Sequence, residues 1–129
     1  MSELKKAFAA KRKVFSGSAA SEKEIAAAEK ELGLVFASDY REYLSSYGVA
    51  AYDGHELTGI TQSPRLNVVE VTRQESVLLD PIPKGLYVIE RTGIEEIIVW
   101  QSESGEIYYS SPNVPLTKMC GSLAEYISK

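Results

Sequence analysis

Apolar positions at helical spacing dominate the first third of the chain. Leu4, Ala7 and Phe8 recur among lysines and predict an amphipathic helix over residues 4–15, closed by Phe15-Ser16-Gly17-Ser18. Ser21-Glu22-Lys23-Glu24 has the form of a capping box, in which the Ser21 hydroxyl accepts from the Glu24 amide and the Glu24 carboxylate from the Ser21 amide. A second helix therefore starts there, with Ile25, Ala28 and Leu32 on its buried face and Gly33 placed for a left-handed C-terminal cap. Ser38 is positioned to cap a third helix, in which Tyr40, Tyr43, Leu44 and Tyr47 form one stripe that Gly48 closes. A tyrosine stripe flanked by Asp39 and Glu42 suits a core seam and not a DNA-reading face.

Beyond Gly48 the texture changes to glycine, proline, β-branched and aromatic residues. Residues 56–60 read as a short strand. Residues 67–79 admit two readings: Val68, Val69 and Val71 suit a strand, whereas Val69, Thr72, Ser76 and Leu79 follow a helical stripe that Asn67 can cap, and we read a helix. The proline-rich stretch 80–85 is a stiff connection. Residues 86–90, 94–101 and 106–109 then predict three strands of an antiparallel meander, with turns at Arg91-Thr92-Gly93 and Glu103-Ser104-Gly105. Ser122-Leu123-Ala124-Glu125 is a second capping box opening a short terminal helix that carries Tyr126 and Ile127. Helices first and a meander second predict an α+β fold with N-terminal helices on one face of an antiparallel sheet.

Composition narrows the chemistry. At 129 residues, 44% hydrophobic and 25% charged, the chain is suited to one folded domain with its own core. Cys120 is the single cysteine and His55 the single histidine, which leaves a structural zinc centre short of ligands and predicts no metal or other cofactor. Cys120 reads as a packed apolar residue. No apolar run approaches the roughly 20 residues that span a bilayer, and no secretory signal is evident, so the expected setting is cytoplasmic without a membrane partner. The net charge of -4 is unevenly spread. Lys5, Lys6, Lys11, Arg12 and Lys13 against Glu3 make residues 1–17 locally +4, so the remainder carries -8. An acidic body repels phosphate, which predicts no direct nucleic-acid partner, and steers a basic protein towards itself.

Catalytic signals are sparse. Neither a G-x-G-x-x-G nor a Walker pattern occurs. Glu95 and Glu96, on a predicted strand, should point to opposite faces and not meet as acid and base. His55 beside Asp53 and Glu56 is the one constellation a hydrolase could use, and it reads more simply as a surface hydrogen-bonder. Trp100 suits the core, or alternatively an aromatic anchor for a partner. The resulting candidate set contains no catalytic residue; it comprises Asp53, Glu56, Glu95, Glu96, Trp100, Glu103 and Glu106 as partner-binding positions.

Residues 25–60 bring a family into view: Ile25, Glu29, Leu32-Gly33, Phe36, Asp39-Tyr40-Arg41, Tyr43-Leu44, Tyr47-Gly48, then Glu56-Leu57 and Gly59-Ile60. This arrangement, continued through Asn67-Val68-Val69, Pro83-Lys84-Gly85-Leu86, Gly105-Glu106-Ile107-Tyr108 and Ser122-Leu123, resembles the SUKH superfamily of fungal cell-wall assembly regulators and bacterial immunity proteins. Phe36-Ala37 and Tyr47-Gly48 depart from the family's usual Leu-Pro and Asn-Gly. The resemblance implies one domain over residues 1–129, with 1–17 a basic N-terminal helix and 18–129 the core. It carries over no catalytic residue and no cofactor. For a bacterial member it implies a non-enzymatic immunity protein that occludes a cognate toxin, commonly a basic nuclease domain. The alternatives are an adaptor of the cell-wall regulator type with a non-toxin partner, and a small enzyme using His55.

Overall fold

The first helix stops earlier than expected, because Lys11 and Arg12 stand where apolar residues would have to continue the stripe of Leu4, Ala7 and Phe8. A computed structural model describes residues 1–79, 81 and 83–129. There α1 spans Glu3–Ala9, and residues 14–16, expected to be helical, instead form strand β1, Val14–Ser16. Helix α2, Glu22–Leu32, has both halves of its capping box, at 3.1 Å for the Ser21 hydroxyl and 2.9 Å for the Glu24 carboxylate, and ends on Gly33 at φ 67°.

Helix α3, Ser38–Tyr47, begins differently from the expectation. Ala37, not Ser38, holds the N-cap position and no side chain caps the helix. Its entry is fixed instead from outside: the Glu29 carboxylate accepts from the Phe36 amide at 2.8 Å and the Tyr87 hydroxyl from the Ala37 amide at 3.0 Å. Helix α4, Val68–Ser76, settles the ambiguous segment as helix, and Asn67 caps it by accepting from the Val69 and Glu70 amides. Of the connection expected at 80–85, Asp80 and Ile82 lie outside the described residues.

Two antiparallel sheets replace the single one expected. The first is β1-β2-β3, with β2 at Ala50–Tyr52 and β3 at His55–Glu56; the second is β4-β5-β6-β7, with β4 at Leu86–Arg91, β5 at Ile98–Ser102, β6 at Ile107–Ser111 and β7 at Val114–Cys120. They meet where Leu57 bridges Glu90 and the Thr58 amide donates to the Ile89 carbonyl at 2.9 Å. The strand expected at 56–60 is thus cut to its first residue plus isolated bridges. Gly59 explains part of this, because a Cβ there would lie 2.0 Å from the Gly48 carbonyl oxygen, a crossing that holds the backbone away from regular pairing. Strand β7 lies outside the three-strand meander that the sequence predicts. Helix α5, Leu123–Ser128, keeps only half of its expected box: Ser122 accepts from the Glu125 amide, but the Glu125 carboxylate takes the Gly121 amide instead.

Burial follows the alternation of the strands. Tyr87 and Val99 face the main core of Leu4, Ile25, Tyr40, Tyr43, Leu44 and Ile127. The intervening Leu86, Val88 and Trp100 pack with Val71 of α4 on the opposite face, so helices cover both faces of this sheet and not one. A polar thread ties the layers together through the main core. Tyr43 donates to the Thr58 carbonyl and accepts from the Ala50 amide; Tyr87 donates to Gln101, whose amide donates to Asp39, and Asp39 accepts from the Leu123 amide at the start of α5.

Candidate functional site

Register places three hairpin tips at one end of the sheets. Val14 pairs with Tyr52 and Leu57 with Glu90, so the β2–β3 tip at Asp53-Gly54 and the β4–β5 connection that follows Arg91 emerge on the same side, as does the β6–β7 tip. The β4–β5 connection is a tight turn in which the Ile97 amide donates to the Ile94 carbonyl at 2.9 Å and the Thr92 hydroxyl bonds the carbonyls of Ile94 and Ile97. Glu95 and Glu96 occupy its two central positions with φ of 51° and 56°. That is the backbone of a primed type I turn, which Asn-Gly normally fills. Among the described residues the only other non-glycine with positive φ is Asp53, at the neighbouring tip. All three strained residues therefore lie at one end of the sheets, and all three are acids. Ile94, 65% exposed, stands beside the two glutamates.

The candidate residues divide between this end and elsewhere. Asp53 is paired with Lys11 at 3.6 Å, and Glu56 is held bidentately by Arg65 at 2.8 and 2.9 Å, whose hydrogen bond keeps its carboxyl below the usual range. Glu103 lies at the opposite end, in the β5–β6 turn, and accepts from the Val35 amide at 2.8 Å. Glu106 is paired with Lys118 at 2.8 Å. Trp100 is fully buried and donates to the Ser110 hydroxyl at 2.9 Å, so it offers no surface for a partner. The meander edge expected to carry Glu95, Glu96, Glu103 and Glu106 together does not exist as one patch, because these residues flank opposite ends of β5. Glu95 and Glu96 alone of the set have no ion-pair or hydrogen-bond partner among the described residues; they also sit in a turn, not on the strand predicted for them.

A second cluster surrounds His55. Its Nδ1 lies 3.0 Å from the carboxylate of Glu90, which is 2% exposed and also accepts from the Tyr126 hydroxyl. Tyr52 stacks on the imidazole, with ring centroids 5.1 Å apart. Burial first, and the Glu90 charge second, push the Tyr126 phenol up. Sequence reasoning missed Glu90 and Tyr126; the available signal was a carboxylate closing the otherwise apolar run 86–89. The pair has the orienting half of a catalytic triad, but among the described residues no hydroxyl or thiol bonds to His55 Nε2, and burial pushes the Cys120 thiol up and away from thiolate character.

Among the described residues no group of three or more histidine, cysteine or acidic side chains is placed to hold a metal, and no helix is long and apolar enough to cross a membrane. Compared with known protein families, residues 2–129 match the family model described as SUKH_5, SMI1-KNR4 cell-wall. No curated protein matches the chain.

Proposed function

The chain belongs to the SUKH family, by a match that covers residues 2–129, and from that premise we propose that it is a protein-binding immunity protein that neutralises a cognate bacterial toxin, a basic nuclease domain, by stoichiometric occlusion. The observation that carries this reading is the Ile94-Glu95-Glu96 turn. It presents two carboxylates with no internal partner beside an exposed isoleucine, on a backbone that favours other residues. Strain of this kind persists where the surroundings over-determine it, commonly at sites of contact. A nuclease grips phosphate with a basic cleft, so the carboxylates would steer encounter while Ile94 supplies apolar area at the centre of the contact.

Co-expression with the product of the neighbouring gene tests the reading. Wild type restores growth, Glu95→Lys/Glu96→Lys does not, and Glu103→Lys at the far end of the sheet still protects. Protection that survives the double charge reversal in a folded protein removes this turn from the interface. A second reading is favoured by the cell-wall description of the matched family: an adaptor whose partner belongs to wall synthesis. In that case the protein co-purifies with wall-synthesis or signalling proteins, and no toxin is needed to explain it.

A further inference from the structure

Three depressions run end to end along one side of α2. The first, about 490 Å³, is bounded by Ala20, Glu24, Val49 and Ile60. The second, about 320 Å³, shares Glu24 and Ile60 and adds Ala27, Ala28, Val69 and Glu70. The third, about 430 Å³, shares Glu31 with the second and continues past Leu32 to Leu86. Their common walls make one groove, with α2 on one side and α4 and residues 60–62 on the other. Eleven residues of α2 give it a length of roughly 16 Å, three turns of helix.

Floor and rim differ in chemistry. Ala28, Ile60 and Val69 make an apolar floor, and Ala27 is exposed at its margin. Alanines on a helix face let a second backbone come close, as helix packing at about 8–10 Å requires. Glu24, Glu31 and Glu70 ring the middle depression, which no lysine or arginine lines. Arg73 and Lys84 line the adjoining third depression; Arg73 lies 3.8 Å from the Glu31 carboxylate and 4.0 Å from that of Glu70 and donates to the Glu31 carbonyl at 3.4 Å, so the cations gather at one end of the groove and the middle depression presents three carboxylates.

We propose that this groove docks an amphipathic basic helix of a partner protein. Its apolar side chains rest on Ala27, Ala28, Ile60 and Val69, and its lysines or arginines reach the three glutamates, the helix-in-groove mode with complementary charge. The groove lies on the helical side of the molecule, apart from the hairpin tips, and the proposal does not depend on the reading given for the Ile94-Glu95-Glu96 turn.

The test titrates the full-length protein with a synthetic helix carrying leucines at i, i+3, i+4 and i+7 and lysines elsewhere, followed by NMR. Saturable shifts confined to Ala27, Ala28, Ile60, Val69 and their neighbours are expected. Glu31→Lys/Glu70→Lys and, at unchanged charge, Ala27→Phe should each weaken binding at least tenfold. Arg73→Gln, which removes the competing cation, should tighten it, whereas Glu95→Gln/Glu96→Gln leaves it unchanged. Native dispersion of each variant's spectrum shows that it is folded. The proposal is overturned if the shifts fall elsewhere, if both groove variants bind like wild type, or if an isomer with scrambled leucines binds as tightly, which would reduce the interaction to charge alone.

Discussion

Two consecutive glutamates at positive φ are an expensive choice for a turn. Each non-glycine residue in the left-handed region costs on the order of 1–2 kcal/mol, and the same turn closes more easily with Asn-Gly. Glu95→Asn/Glu96→Gly is therefore expected to stabilise the protein by about 1 kcal/mol in urea denaturation, while weakening binding to the partner. A variant no more stable than wild type would show that the turn is not strained. Glu90 poses the opposite problem, a buried carboxylate that needs its donors. Tyr126→Phe removes one of them without a change of shape, and a loss of about 1–3 kcal/mol is expected in the same measurement. A loss under about 0.3 kcal/mol would mean that His55 alone satisfies the carboxylate.

At the scale of elements, local chemistry was readable where the deciding contacts lie within one segment. The box at Ser21 and Glu24, the αL cap at Gly33 and the Asn67 cap all close over three or four residues, and the sequence shows them directly. What was not readable depends on distant residues. The start of α3 is set by Tyr87 and Glu29, the strand at 14–16 by its pairing with β2, and the loss of strand after Glu56 by Gly48 lying against Gly59. β7 went unseen because Pro115 interrupts its pattern, which an edge strand tolerates. The candidate site was partly legible for the same reason. Loop acids could be named from sequence, but whether each meets a lysine or arginine, as Glu56 and Glu106 do, is a long-range fact.

The full capping box of α2 and the half box of α5 give an internal comparison. Ser21→Ala and Glu24→Ala should each cost about 0.5–2 kcal/mol and be coupled, because their hydrogen bonds are reciprocal. Ser122→Ala and Glu125→Ala should instead add independently, since the Glu125 carboxylate accepts from the Gly121 amide and not from that of Ser122. Additive losses at Ser21 and Glu24 would deny the reciprocal box.

Over the whole molecule, buried phenols are expected to make stability fall at alkaline pH. Burial raises Tyr40, Tyr43, Tyr52, Tyr87 and Tyr126 above the ordinary value of 10.0. Their folded state favours the neutral phenol, so the contribution is complete below pH 10, and stability falls as pH rises and the unfolded chain ionises first. Tyrosinate absorbance at 295 nm, followed with far-UV circular dichroism, should show these five ionising only as the protein unfolds. Five phenols titrating near pH 10 in a folded chain would contradict the packing of α3 and α5 described above.

In the function proposed above, one molecule of the protein occludes one molecule of toxin through the acidic turn at the end of the sheets. The most direct measurement titrates a fixed amount of the cognate toxin, well above the dissociation constant of the complex, and follows residual toxin activity. Wild type and Glu103→Lys are expected to give a linear fall to zero at one molecule of protein per toxin, and Glu95→Lys/Glu96→Lys no break at that ratio. Full protection at far less than one molecule per toxin would contradict occlusion, because only turnover can neutralise more toxin than there is protein to bind it.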